Sequence, residues 1–296
     1  MAKIGKWKSD AAKAKAMRIY DSLEELQPVA STGFDVATSY GSTRVRKFGS
    51  DPRTPLVLFH PMGGNGLCWY PIIEQLAAER TVYALDTIGA PGRSEQTRPI
   101  TAAADYAAWI EDALAALGLE QAHLLGYSDG AWRASMAGVH SSRRLASLTL
   151  VEPGAGIVKP SWRLLLRMIR VGVNPTPEKL RRFSAWFMPG VELSEVEIEG
   201  SLAALGYRPR TPWPAPLEDA ELQSITAPTL VVYGSESVLL KDAETARARV
   251  RLIPGAEFEL VPGGGHGLLF QDSHKGVVLA RVFDFIAQHD QAELAH

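Results

Sequence analysis

Gly126-Tyr127-Ser128-Asp129-Gly130 holds a serine between two glycines in the G-x-S-x-G spacing that suits nucleophilic catalysis. His123-Leu124-Leu125 reads as a strand running into this turn, and residues 131–139 read as a helix leaving it. So sharp a strand-to-helix turn needs small residues on either side of the serine, because strained backbone and close helix packing leave no room for side chains. The turn would lift the Ser128 hydroxyl clear of the sheet edge, beside a helix N-terminus that favours developing negative charge. A serine hydroxyl is a poor nucleophile at neutral pH, so a neutral imidazole must take its proton and later return it to the leaving group. Of the seven histidines, His266 follows an expected strand and sits in the Gly-rich loop Pro262-Gly263-Gly264-Gly265-His266-Gly267. It is the candidate base.

These side chains need a scaffold. Short apolar runs at 44–48, 56–59, 82–85, 122–125, 148–151, 230–233 and 257–261 alternate with helix-like stretches at 69–79, 103–117, 130–140 and 275–288. Such alternation implies βαβ units and a mostly parallel sheet covered on both faces. Ahead of them, Ala12, Met17, Tyr20, Leu23 and Leu26 fall at helical spacing, which predicts an amphipathic leading helix within an N-terminal extension over residues 1–30. Residues 155–225 break the alternation, with helical spacing at 164–171, 177–187 and 194–205 and an exit marked by Pro212, Pro214 and Pro216. Trp162, Trp186, Phe187, Met188 and Trp213 make this stretch rich in large apolar side chains. One reading is a plain layer over the sheet. The reading adopted is a helical cap inserted above the strand ends, leaving 31–154 and 226–296 as the core.

Composition narrows the function. The chain has 296 residues, 31 Lys+Arg against 33 Asp+Glu and a net charge of −2, which gives no basic footprint for nucleic acid. Lys3, Lys6, Lys8, Lys13 and Lys15 are soon offset by Asp10, Asp21, Glu24 and Glu25. Cys68 is the single cysteine, so disulfides, thiolate metal clusters and Cys-x-x-Cys redox pairs are excluded. No run approaches the roughly 20 apolar residues that span a bilayer, and the Lys- and Ala-rich start lacks a signal's apolar core. The expectation is a soluble, cytoplasmic protein acting on a small molecule, with no metal, cofactor, nucleic-acid or membrane partner. Oligomeric state is not legible in the sequence.

From about residue 40 the sequence resembles the α/β-hydrolase superfamily. Beyond the serine turn, Leu58-Phe59-His60-Pro61-Met62-Gly63-Gly64 is similar to the strand-to-loop segment that carries one oxyanion donor. Asp86-Thr87-Ile88-Gly89-Ala90-Pro91-Gly92-Arg93-Ser94 resembles the next strand-to-loop turn with one extra residue, and 262–267 resembles the late histidine loop. The joint order is more specific than any one motif. The resemblance implies an α/β-hydrolase fold with a mostly parallel eight-stranded sheet, helices on both faces and a helical cap. It maps the oxyanion donors onto the backbone N–H groups of Met62 and Asp129, with His60 propping the loop.

The family's acid is missing. It is usually an Asp shortly after the strand Thr229-Leu230-Val231-Val232-Tyr233-Gly234, and the matching position here is Ser237. Three readings stay open: the acid has moved, Glu236 serves from one residue away, or the triad is degraded. Glu152 ends the strand after the nucleophile strand, where some members, certain haloalkane dehalogenases among them, carry their acid. It is the first candidate and Glu236 the alternative, with Asp242, a water or no acid left over. Asp129 is also unusual, since a carboxylate beside a developing oxyanion opposes it unless a cation intervenes. The Ser-Asp-Gly turn resembles that of amino-acid-ester hydrolases of the valacyclovirase kind, which implies a use for Asp129 in holding a substrate ammonium; a hydrogen bond to loop backbone is the plainer role. Tyr127, Trp132 and the cap aromatics are candidate pocket walls, whereas Cys68 and Trp69 read as packing. The expected activity is hydrolysis of a carboxylic ester, lactone or thioester through a Ser128 acyl-enzyme. A cyclase, acyltransferase or sensor with a degraded triad is the alternative, motivated by Ser237; dehalogenation is disfavoured because the nucleophile is Ser, not Asp.

Overall fold

The computed structural model describes residues 3–290. In chain order the elements are β1 (Lys6–Trp7), α1 (Asp10–Glu25), β2 (Ser31–Thr38), β3 (Gly41–Phe48), β4 (Leu56–Phe59), α2 (Ile73–Glu79), β5 (Val82–Leu85), β6 (Glu95–Gln96), α3 (Ala103–Ala116), β7 (Ala122–Tyr127) and α4 (Asp129–His140). They continue with β8 (Leu145–Val151), α5 (Trp162–Gly172), α6 (Pro177–Phe187), α7 (Glu195–Ala204), β9 (Tyr207–Arg208), α8 (Asp219–Ser224), β10 (Thr229–Gly234), α9 (Ala243–Val250), β11 (Glu257–Val261) and α10 (Asp272–Gln288).

The main sheet has nine strands, eight of them in the order β11-β10-β8-β7-β4-β5-β3-β2, with the two-residue β6 added against the start of β3. From β5 to β11 every pairing is parallel, whereas β3 runs antiparallel to both β2 and β5. Strands β4, β5, β7, β8 and β10 are buried along their whole length, as continuous Val/Leu runs covered on both faces should be. One face packs on α3, α4, α8 and α9 through Trp109, Ala113, Met136, Leu222 and Val250; the other packs on α2 and α10 through Ile73, Leu76, Val282, Phe285 and Ile286. Parallel register brings the C-terminal ends of β4, β7, β8, β10 and β11 to one edge. The loops that follow carry Met62, Ser128, Glu152, Ser237 and His266.

Between β8 and β10 lie α5, α6 and α7, each started by a polar cap. Ser161 accepts from the Leu164 N–H, Thr176 accepts from Lys179 with Pro177 at the first helical position, and Ser194 with Glu197 forms a capping box. The expected helix boundaries hold here to within two residues. The leading helix is also present as α1, which packs against α7, and β1 pairs antiparallel with β9. Ser9 rather than the apolar pattern sets its start, by accepting from the Ala12 N–H. Among the described residues no helix is long and apolar enough to cross a membrane.

Candidate active site

Ser128 sits between β7 and α4 with φ 57° and ψ −119°, a left-handed conformation that L residues seldom adopt. The strain is held from both sides. The Ser128 N–H donates to the Val151 carbonyl at 3.0 Å, and its carbonyl accepts from Ala131 at 3.1 Å. A Cβ on Gly130 would run into the Phe59 carbonyl, so helix α4 approaches β4 only because that residue is glycine.

His266 Nε2 lies 3.1 Å from Ser128 Oγ, and Nδ1 lies 2.9 Å from Glu152 Oε2. A carboxylate only accepts, so the ring proton belongs on Nδ1 and Nε2 is left free to accept from the serine. Glu152 is fully buried, and its backbone is also left-handed (φ 50°), which turns the side chain at the end of β8. Burial of a carboxylate is tolerable when its oxygens are hydrogen-bonded. Gly234 N–H donates to Oε1 at 2.7 Å, and the Ser237 hydroxyl donates to Oε2 alongside the His266 proton. The serine at the family's usual acid position thus touches Glu152. Glu236 is exposed, its N–H bonded to the Gly264 carbonyl, and Asp242 caps α9; neither is brought to the histidine. Tyr127 stacks on the His266 ring with centroids 5.2 Å apart and donates its hydroxyl to the His266 carbonyl at 2.8 Å, while Phe187 of α6 approaches the ring to 4.3 Å. Tyr127 therefore positions the imidazole as well as lining the cavity.

Met62 follows β4 and Asp129 opens α4; among the described residues neither N–H has a hydrogen-bond partner. The loop carrying Met62 is braced from below. Buried His60 accepts the Thr87 N–H at Nε2 (3.0 Å) and donates from Nδ1 to the Pro61 carbonyl (2.9 Å). Burial, with Arg133 adding to it, pushes this imidazole down to about 3, so it stays neutral. Asp86 accepts the N–H groups of Gly66 and Arg93, each at 2.7 Å, tying the two loops together.

The Asp129 carboxylate is buried, and burial raises its pKa against the pull of Arg133. Arg133 Nη2 stands 2.6 Å from Asp129 Oδ2, one helical turn along α4, and its guanidinium lies over the Tyr106 ring. Arg133 is thus the cation that intervenes at Asp129, since residues four apart on a helix face one another. Trp132 is not a wall of the pocket: its indole N–H donates to the Ala215 carbonyl and its ring packs in the core.

A cavity of about 1010 Å³ opens on Ser128 and His266, at the upper end of the usual range for small-molecule sites. Leu164, Met168, Phe183 and Phe187 wall it from α5 and α6. Met17 and Tyr20 of α1 wall it too, which the sequence did not announce: α1 reads only as an amphipathic helix, and nothing local says which surface it covers. Among the described residues no cluster of His, Cys, Asp and Glu is arranged to hold a metal ion.

Comparison with known proteins gives a consistent result. Residues 56–281 match the model of the alpha/beta hydrolase family. The chain is 24% identical over 291 residues to the carboxylesterase YbfK of Bacillus subtilis, covering 93% of this chain and 96% of that protein. It is 26% identical to a carboxylesterase named nap from the same organism, covering 85% and 87%. Among solved structures, that of YbfK superposes with a TM-score of 0.85 over 94% of this chain and 99% of that one at 24% identity. That of the Bacillus subtilis naproxen esterase gives 0.85 over 94% and 98% at 25% identity.

Proposed function

Because this chain belongs to the alpha/beta hydrolase family, we propose that it is a serine hydrolase that cleaves a carboxylic ester, thioester or lactone of a small molecule through an acyl-enzyme on Ser128. The observation that carries this reading is the unbroken hydrogen-bonded chain from Ser128 through His266 to Glu152. Ser128 Oγ attacks the acyl carbon while His266 Nε2 takes its proton. The charge that develops on the acyl oxygen is met by the Met62 and Asp129 N–H groups. The imidazolium is stabilised by Glu152, and its proton goes to the leaving alcohol or thiol. Water then attacks the acyl carbon, losing a proton to the same nitrogen; the bond to Oγ breaks, that proton returns to Ser128 and the acid leaves. No cofactor takes part.

Residues 155–225 act as the cap, and with α1 they favour an acyl or alcohol portion that is bulky and apolar. Arg133 serves by offsetting the Asp129 charge, which would otherwise oppose the oxyanion one residue from the nucleophile. The carboxylesterase relatives support ester cleavage. The test is labelling by a fluorophosphonate together with turnover of p-nitrophenyl esters of graded acyl length. The wild-type protein should label and hydrolyse, and Ser128→Ala should do neither. Wild-type rates in Ser128→Ala would sink the serine mechanism.

A further inference from the structure

Helix α5, Trp-Arg-Leu-Leu-Leu-Arg-Met-Ile-Arg-Val-Gly, is built with two apolar faces. Leu164, Met168 and Val171 point inward and line the cavity. At about 100° per residue, Trp162, Leu166, Ile169 and Val173 fall together on a second face, with Leu165, which also edges the cavity, at its border. That face is solvent-exposed: Trp162 is 67% accessible, Val173 64% and Ile169 51%. A contiguous exposed apolar stripe of this kind marks a contact surface, whereas single exposed leucines mark nothing. Beside it runs a third stripe, made of Arg163, Arg167 and Arg170.

We infer that the outer face of α5 docks on an anionic lipid surface, with its apolar stripe in the acyl boundary and its arginines at the headgroups. Charge picks the occupant. Residues 159–187 hold seven basic side chains against the single acid Glu178, in a chain whose net charge is −2. Among the described residues the ion pair of this segment is that of Arg181 with Glu195, which leaves the three α5 arginines to other contacts. Arg167 lies over the Trp186 ring, 4.0 Å from its centroid. A short helix with an Arg-rich flank beside a Trp- and Leu-bearing face lies flat in a membrane interface, and its arginines snorkel to the phosphates. A second copy of the chain is the weaker occupant, because a two-fold contact through this stripe would set arginine against arginine. That no helix among the described residues is long and apolar enough to cross a membrane bears on crossing one, not on lying against one. Docking here would bring the cavity that α5 roofs down to the lipid surface.

Vesicle co-sedimentation tests this without turnover, so its failure leaves the ester reading untouched, and Ser128→Ala protein serves equally well for it. Wild-type protein should pellet with vesicles of phosphatidylcholine containing a third phosphatidylglycerol, and far less with phosphatidylcholine alone. Binding should fall with salt as charges are screened. The double variant Leu166→Glu with Ile169→Glu, neither of which lines the cavity, should lose the binding while keeping its circular dichroism. The triple variant Arg163→Gln, Arg167→Gln, Arg170→Gln should weaken partitioning by about 100-fold. No pelleting with either vesicle overturns the inference. Equal pelleting with neutral and anionic vesicles overturns the anionic surface as the partner. A dimer in sedimentation velocity that the double glutamate variant dissolves, without vesicle binding by the wild type, assigns the stripe to a second copy instead.

Discussion

In the proposed mechanism, Ser237 explains how the acid can stand at Glu152 without the site falling apart. Its hydroxyl donates to the same Glu152 oxygen that takes the His266 proton, so the position has become a support for the acid. An Asp there would instead set two carboxylates against each other. We expect Glu152→Gln to lower kcat by at least ~10² with folding retained, since in a well-studied triad the equivalent Asp→Asn change costs about 10⁴. Glu236→Gln should change kcat less than about threefold, its side chain being exposed and away from the ring. Ser237→Asp placed in the Glu152→Gln background should recover part of the loss, because the new carboxylate stands where the hydroxyl now meets residue 152. Kinetics of the three variants decide it, and a fully active Glu152→Gln protein would remove Glu152 from the mechanism. Ser128, His266 and Glu152 were legible because each ends or follows a strand that the apolar pattern shows. The Arg133 partner of Asp129 follows from helix spacing, because it stands one turn further along α4.

Whether an element could be read depended on how it is buried. Strands β4, β5, β7, β8 and β10 are covered on both faces and so stand out as unbroken Val/Leu runs. Strand β2 was not legible: Ser-Thr-Gly-Phe-Asp-Val-Ala-Thr lies at the sheet edge with one buried residue, Val36, and needs β3 beside it to be a strand at all. The short α8 and α9 were missed because each rests on a few apolar contacts and a local cap, not on a long amphipathic period. The nucleophile turn shows the opposite case, an element whose glycines are dictated by contact. Gly130→Ala would press a methyl group into the Phe59 carbonyl, backbone that cannot swing away. We expect it to cost more than about 3 kcal/mol of stability in urea unfolding, or to prevent folding. Gly172→Ala, in a helix with open space around it, should be neutral or slightly stabilising.

Across the whole molecule, two buried histidines join parts far apart in sequence, and they make stability depend on pH. His60 braces the Met62 loop against Thr87. His123 at the start of β7 meets Ser147 of β8 through Nδ1 at 2.8 Å and Asp290, beyond α10, through Nε2 at 3.0 Å; Asp290 also holds Arg80. Burial pushes His123 down to about 4, with Asp290 pulling the other way and Arg80 adding to the fall. A histidine whose folded pKa lies below its unfolded value of about 6.5 is neutral in the native state and takes up a proton on unfolding. Its contribution is therefore complete above pH 6.5 and is lost as pH falls toward 4. Asp86 and Asp129, raised by burial, carry the opposite sign, because the native state holds their protons longer. Total stability mixes both effects, so a difference between proteins isolates one. The cost of His123→Gln, measured by urea unfolding, should shrink as pH is lowered from 7 to 4.5. The slope should approach about 1.4 kcal/mol per pH unit below 6, one proton's worth. A His123→Gln penalty that stays constant across this range would mean that the imidazole is already charged in the folded protein, paired with Asp290 as an ion.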